Sequence, residues 1–270
     1  MKKETINVTI EDVSLRLSVL RREGSKPPVI FLHGFGASKE DYADFAVFPR
    51  FSDRAFLAYD APGFGQTECP ALDELSIPFL SRTAAAVVDH YEIASFHLVG
   101  HSMGGLTALV FSQSNPGRVL SFTNIEGNLG PEDCFLSRQI IEFPGKNDEA
   151  FLENLADNLR GSAKPSNALY ASNLRGKTRP EAVAPIFRSM VALSDEAPLM
   201  DYFLGLPMPK MFIFGQENRS FSYLDQLRQA DVRLAEIPQS GHFPMYSNPP
   251  AMWQAIGDFV EDVEREQARG

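Results

Sequence analysis

The stretch that most constrains this chain is a serine framed by glycines, Gly100-His101-Ser102-Met103-Gly104-Gly105. Residues 96–99 before it are apolar and read as a buried strand, and residues 106–113 after it read as a helix. Small residues two places before and two after a serine let the backbone turn from strand to helix in one sharp, strained corner, which lifts the hydroxyl above the sheet edge. A nucleophilic serine needs that exposure. Gly-x-Ser-x-Gly also occurs in ordinary tight turns, and here the flanking strand and helix favour the functional reading.

Such a corner belongs in a sheet-and-helix protein, and the chain has the size for one. At 270 residues it exceeds an average domain, but parallel α/β sheets run to this length, so one core with an insertion is the expected organisation. A 44% hydrophobic and 22% charged composition suffices for a large core. The net charge of −10, with no basic block to offset it, argues against nucleic acid or an anionic membrane surface as a partner. Cys69 and Cys134 are far apart and in no metal-ligand spacing, so they read as idle thiols. The first residues lead into a strand-like alternation without the apolar region of a signal peptide, and no run approaches membrane-spanning length. The expectation is a cytoplasmic monomer or homodimer acting on a small molecule, with no metal and no cofactor.

Along the chain, Ile6, Val8 and Ile10 alternate with polar residues, and the alternation resumes at Leu15, Leu17 and Val19, as in an antiparallel hairpin. A continuous apolar run at 29–32 reads as a strand buried on both faces of a parallel sheet, and 54–59, 119–125, 210–214 and 232–237 read as further strands. Helical spacing separates several of them, at 78–91 and again after Asn248, where Met252, Trp253, Ile256, Phe259 and Val260 form an inner face. From 129 to 206 the strand signal disappears and amphipathic stretches replace it, near 135–141, 151–159, 168–174 and 182–193. That segment is too long for a loop. It reads as a helical cap, 129–206, inserted into a domain made of 1–128 and 207–270. The alternation predicts an α/β fold, a mostly parallel sheet with helices on both faces. Ligands of such sheets bind beyond the carboxyl ends of the strands. His33, Asp60, Ser102, Glu126, Glu217 and His242 all fall at or just past those ends, which points to an enzyme.

In their order and placement, His33-Gly34-Phe35-Gly36, Asp60-x-Pro62-Gly63-x-Gly65, Gly100-His101-Ser102-Met103-Gly104 and Gly241-His242-Phe243-Pro244 resemble the α/β-hydrolase family over everything except the cap. The resemblance implies an α/β-hydrolase sheet with Ser102 as nucleophile and His242 as general base. The chemistry agrees, because a hydroxyl is a weak nucleophile until a positioned base takes its proton, and histidine titrates near working pH. An oxyanion needs two pre-aimed donors. The Met103 N–H stands at the start of a helix, where amides point freely toward an anion. The resemblance assigns the second donor to the Phe35 N–H, with Gly34 letting the loop approach. It also gives His33 a bracing role and makes His101 the variable residue of the corner. His90 and His97 read as surface or core, and Asp60 reads as an anchor for the glycine-rich turn.

The acid departs from the family pattern. Members usually carry an aspartate three residues after a glycine following the strand beyond the cap, and Gly215-Gln216-Glu217-Asn218 puts Asn218 there. Asparagine can hold an imidazole but cannot supply the charge that stabilises imidazolium. Glu126 ends the strand before the cap, a location some relatives use, with Gly127 beside it; Glu217 is the alternative, one residue early. The choice falls on Glu126, with Asn218 near the imidazole.

These residues imply a serine hydrolase acting through an acyl-enzyme on a carboxylic ester, lactone or thioester with a fairly apolar acyl part. Gly34, Phe135 and Phe243 are the candidate substrate contacts. The cap's aromatic supply motivates the apolar substrate, although each such residue serves equally well to glue the cap to the core. The alternatives are a carbon–carbon bond hydrolase of ring-cleavage diketones and a slow-turnover ligand sensor. Dehalogenase and epoxide hydrolase chemistry is disfavoured, since those relatives carry aspartate where Ser102 stands.

Overall fold

The computed structural model describes residues 1–143 and 147–269. β1 (Lys2–Ile10) and β2 (Val13–Arg22) form the hairpin, paired from Lys2 opposite Arg21 to Ile10 opposite Val13. β3 (Lys26–Leu32) starts earlier than its apolar run suggests. Its register shifts between Lys26 and Val29, where Pro27 and Pro28 have no N–H to give the ladder.

The chain then alternates. β4 (Arg54–Tyr59), α1 (Ile77–His90), β5 (Phe96–His101), α2 (Met103–Ser114) and β6 (Val119–Ile125) follow in turn. Between β6 and β7 lie α3 (Gln139–Glu142), α4 (Asp148–Arg160), α5 (Pro165–Lys177), α6 (Val183–Glu196) and α7 (Leu199–Gly205). The chain closes with β7 (Lys210–Gly215), α8 (Leu224–Gln229), β8 (Arg233–Ile237), α9 (Pro244–Ser247) and α10 (Pro249–Gln267).

Among the described residues the sheet has eight strands in the order β1-β2-β4-β3-β5-β6-β7-β8, antiparallel at β1–β2–β4 and parallel from β4 onward. Helices cover both faces, as two neighbours in β5 demonstrate. The Phe96 ring lies 5.7 Å from Phe111 of α2, while His97, pointing the other way, reaches Glu264 of α10. A strand covered on both sides buries both sets of its side chains, so the central strands lack an alternating polar face, and their few polar residues, such as His97 bonded to Ser121, find partners inside. Beneath α10, Trp253 is fully buried against Phe31, Phe45 and Phe51, and its indole N–H donates to Asp44. Arg54 completes this layer with a bidentate bond to Glu264.

The stretch at 135–141 is less helical than its spacing predicts. A single 3-10 turn, Pro131–Cys134, precedes the short α3. Asp133 accepts the N–H groups of Leu129 and Gly130 and the Tyr223 hydroxyl, and Arg138 pairs with Asp195 of α6. These tethers to other elements outweigh local helix propensity, which is worth only tenths of a kcal/mol per residue. Both cysteines are free thiols. Among the described residues no helix is long and apolar enough to cross a membrane, and no cluster of histidine, cysteine and carboxylate residues is placed to hold a metal ion.

Candidate active site

Ser102 sits between β5 and α2 with φ 52° and ψ −120°, a backbone region that L-residues rarely enter and that costs about 1–3 kcal/mol. The surroundings enforce it. The Ser102 N–H donates to the Ile125 carbonyl at 2.9 Å, and its carbonyl accepts from Gly105 and Leu106 at 2.8 and 3.0 Å. The glycines are there for close approach: a Cβ on Gly104 would stand 2.1 Å from the Leu32 carbonyl oxygen, and one on Gly100 would stand 2.3 Å from that of Gly104.

His242 follows β8, and its Nδ1–H donates to Glu126 Oε2 at 2.8 Å. Glu126 ends β6 at a positive φ of 46° and is 5% exposed. Its Oε1 accepts the Gly215 N–H at 2.7 Å, and the Asn218 amide donates to both oxygens at 2.9 and 2.8 Å. Burial alone would raise this carboxyl, but the bonds from His242, Gly215 and Asn218 outweigh it and hold the group below its ordinary value. Glu126 is therefore ionised, and its bond leaves the His242 Nε2 lone pair free to accept a proton. Glu217 is elsewhere. Its exposed carboxylate pairs with Lys164, and Asn218, in the family's usual acid position, braces Glu126.

The other histidines divide by their bonds. His101 is buried, and its Nε2–H donates to the His242 carbonyl at 2.8 Å, tying the His242 loop to the corner that carries Ser102. Burial pushes its imidazole well below the ordinary range, so it is neutral. A Cβ on Gly34 would stand 2.6 Å from His101 Nδ1, so that glycine makes room for the ring. His33 is neutral for the same reason, with Nδ1–H donating to the Gly34 carbonyl at 2.8 Å and Nε2 accepting from Ala61 at 2.9 Å. His97 is buried and His90 is exposed at the end of α1.

Asp60 accepts the N–H groups of Lys39 and Gln66, both at 2.9 Å, and the Lys39 ammonium at 2.7 Å. Both side chains are fully buried. Sequence reasoning missed Lys39, although a signal exists: it opens a 3-10 helix, Lys39–Val47, and a cation in a helix's first turn opposes the dipole. It also missed the tie from His101 to His242 and the reach of Tyr170 to the loop after β3.

Phe35 is buried in that loop, with its ring 4.3 Å from Phe187 of α6 and 5.4 Å from Phe64. Among the described residues the N–H groups of Phe35 and Met103 meet no acceptor. A cavity of about 300 Å³ opens beside His242. Phe135, Leu136, Leu155, Leu159, Tyr170, Phe221 and Phe243 supply its apolar wall, and Lys164, Glu217 and Asn218 its polar end. Phe135 is 56% exposed and meets the His242 ring edge-to-face at 5.5 Å. Phe243 lies 5.1 Å from that ring. Ser102 is not part of this wall.

A family profile described as the alpha/beta hydrolase fold matches residues 27–192. The chain belongs to the α/β-hydrolase family. Among curated α/β-hydrolase relatives, a pimeloyl-[acyl-carrier protein] methyl ester esterase of Aeromonas hydrophila is 26% identical over 89% of this chain and 98% of its own. A 2-hydroxy-6-oxononadienedioate/2-hydroxy-6-oxononatrienedioate hydrolase of Paraburkholderia phymatum is 24% identical over 94% of each. The same fold recurs in a carboxylesterase structure from Nitrososphaera gargenis, with TM-score 0.79 and 16% identity over 97% of this chain and 100% of that one. It recurs in an N-acyl homoserine lactonase solved with N-hexanoyl homoserine lactone, with TM-score 0.77 and 17% identity over 98% and 99% of the two chains.

Proposed function

We propose that this α/β hydrolase is a serine hydrolase of small carboxylic esters, lactones or thioesters, with Ser102 as nucleophile, His242 as general base and Glu126 as acid. The observation that carries the reading is the buried, ionised Glu126 holding His242 Nδ1–H, while His101 ties the same loop to the Ser102 corner. In the first half-reaction His242 Nε2 takes the Ser102 proton as Oγ bonds the substrate carbonyl carbon. The carbonyl electrons move onto oxygen, and the Phe35 and Met103 N–H groups donate hydrogen bonds to that oxyanion. The tetrahedral species collapses with loss of the alcohol or thiol, which leaves with the proton held by His242. In the second half-reaction a water gives its proton to His242 and attacks the acyl-enzyme, releasing the acid and restoring Ser102–OH.

Residues 129–206 act as a cap in this reading, supported by their share of the wall beside His242. The cavity's volume and largely apolar lining suit a small, mostly uncharged acyl group. Carbon–carbon bond hydrolysis of a ring-cleavage diketone is the second reading, favoured by the full-length similarity to the Paraburkholderia hydrolase.

The test assays p-nitrophenyl esters, lactones and a vinylogous diketone side by side, with fluorophosphonate labelling of the wild type and Ser102→Ala. Turnover of about 1 per second or faster on esters or lactones, with stoichiometric labelling lost in Ser102→Ala, is expected. Turnover confined to the diketone selects the second reading, and labelling with a single slow turnover marks a sensor. Unlabelled wild type overturns the serine mechanism.

A further inference from the structure

We propose that Tyr170 is a positioning residue for the oxyanion site, so that the Phe35 donor is aimed only while α5 is seated on the loop after β3; this rests on the serine-hydrolase reading. Two peptide units flank the Phe35 Cα, and each is held by its carbonyl. The Gly34 carbonyl, whose peptide carries the Phe35 N–H, accepts from His33 Nδ1 at 2.8 Å and from Ala37 N–H at 3.2 Å. The Phe35 carbonyl, in the next peptide, accepts the Tyr170 hydroxyl at 2.7 Å across 135 positions of sequence.

The first restraint is local to the loop. The second comes from a helix between β6 and β7, so the loop's conformation depends on a separate part of the fold. The Phe35–Gly36 peptide is also the unit most able to swing. Gly36 has φ +66° and no Cβ, so little opposes a flip apart from the bond to Tyr170. Without that bond the Phe35 Cα is held from one side only, by the bonds on the Gly34 carbonyl, and the Phe35 N–H can pivot with it.

Tyr170 is well placed for this role. It is 3% exposed, and burial keeps its hydroxyl a neutral donor. Its ring stacks on Phe243 at 4.4 Å, which sets the hydroxyl's direction from the loop that carries His242. A Cβ on Gly36 would stand 2.6 Å from the Tyr170 hydroxyl and 2.2 Å from Leu174, so α5 lies directly on the turn. At the far end of α5, Lys177 bonds both oxygens of Asp41 at 2.9 and 3.0 Å, and Asp41 accepts the Ser38 N–H at 2.6 Å. One helix thus grips both the peptide beside the donor and the turn that follows it.

Tyr170→Phe removes the hydroxyl and keeps the stacked ring. On a p-nitrophenyl ester, kcat is expected to fall about tenfold with KM within twofold, since a mis-aimed donor loses part of the hundredfold or more that deletion of an oxyanion donor costs. Affinity for a trifluoromethyl ketone, which forms the oxyanion-bearing adduct on serine, should fall in parallel. The pH–rate midpoints should not move, because Glu126 and His242 are untouched.

The inference is overturned by unchanged kcat and ketone affinity, by a rise in KM alone, which would make Tyr170 only cavity wall, or by shifted pH midpoints. If wild type neither turns over esters nor binds the ketone, the serine-hydrolase reading fails and this inference with it. An active wild type with an unaffected Tyr170→Phe sinks the inference alone.

Discussion

Glu126→Gln is isosteric, and its expected effect can be worked from the four bonds at that carboxylate. Oε1 accepts the Gly215 N–H and Oε2 accepts His242 Nδ1–H, so a carboxamide has one oxygen for two donors. With its oxygen toward Gly215, its NH₂ faces His242 and drives the imidazole proton to Nε2, where it blocks deprotonation of Ser102. With its oxygen toward His242, it leaves the buried Gly215 N–H against another donor, at about 1–3 kcal/mol. Either way the charge opposing the imidazolium is lost. That charge is worth about 4 kcal/mol for centres about 4 Å apart at an effective dielectric of about 20, or about a thousandfold in rate. Adding the tautomer penalty, kcat should fall on the order of ten-thousandfold, as for loss of the acid's charge in triads generally. Steady-state hydrolysis of a p-nitrophenyl ester reads it, with urea unfolding to show that the variant is folded. Glu217→Gln is the control and should keep kcat within about twofold, because that carboxylate pairs with Lys164 at the cavity's polar end and makes no bond to His242. Collapse of Glu217→Gln with Glu126→Gln within tenfold of wild type would refute the reasoning.

Lys39→Met strands the fully buried Asp60 carboxylate and should cost about 3–5 kcal/mol, lowering Tm on the order of 10 °C, with much of the loss recovered in Lys39→Met/Asp60→Asn; additive losses in the double variant contradict this. Burial lifts Asp133 to about 6, against its bonds from Leu129, Tyr223 and Gly130, so the folded chain holds this proton more tightly than the unfolded chain does. The resulting stability is complete below about pH 4 and lost as pH rises to about 6, so wild type should lose up to about 3 kcal/mol relative to Asp133→Asn across that window in urea melts. A difference that stays flat counts against it. Gly104→Ala should abolish folded protein, since its Cβ meets the Leu32 carbonyl at 2.1 Å, whereas Gly176→Ala, with nothing within 4 Å, should gain about 0.5–1 kcal/mol in thermal melts.

Much of the fold was legible because its signals are local. The buried runs of β5, β6 and β7 carry their two-faced burial in their own residues, and the glycines at 100 and 104 announce the close approach of backbone beside Ser102. The stretch at 135–141 becomes helical only at Gln139, because Arg138 and the preceding Asp133 are tethered to Asp195 and Tyr223, which lie far along the chain. The placement of the candidate base and acid at strand ends followed from the alternation of elements, but the bond between them did not.

By itself, the sequence determined the α/β alternation, the sharp corner at Ser102 and the short set of candidate groups at the strand ends, since periodicity and backbone sterics act over a few residues. Only the tertiary structure decided which carboxylate meets His242, 116 residues from Glu126, and that Asn218 braces it. It alone joined Tyr170 to the Phe35 carbonyl and Lys39 to Asp60. Hydrogen bonds depend on a few tenths of an ångström and on direction. That precision is set where loops from separate strands rest against one another.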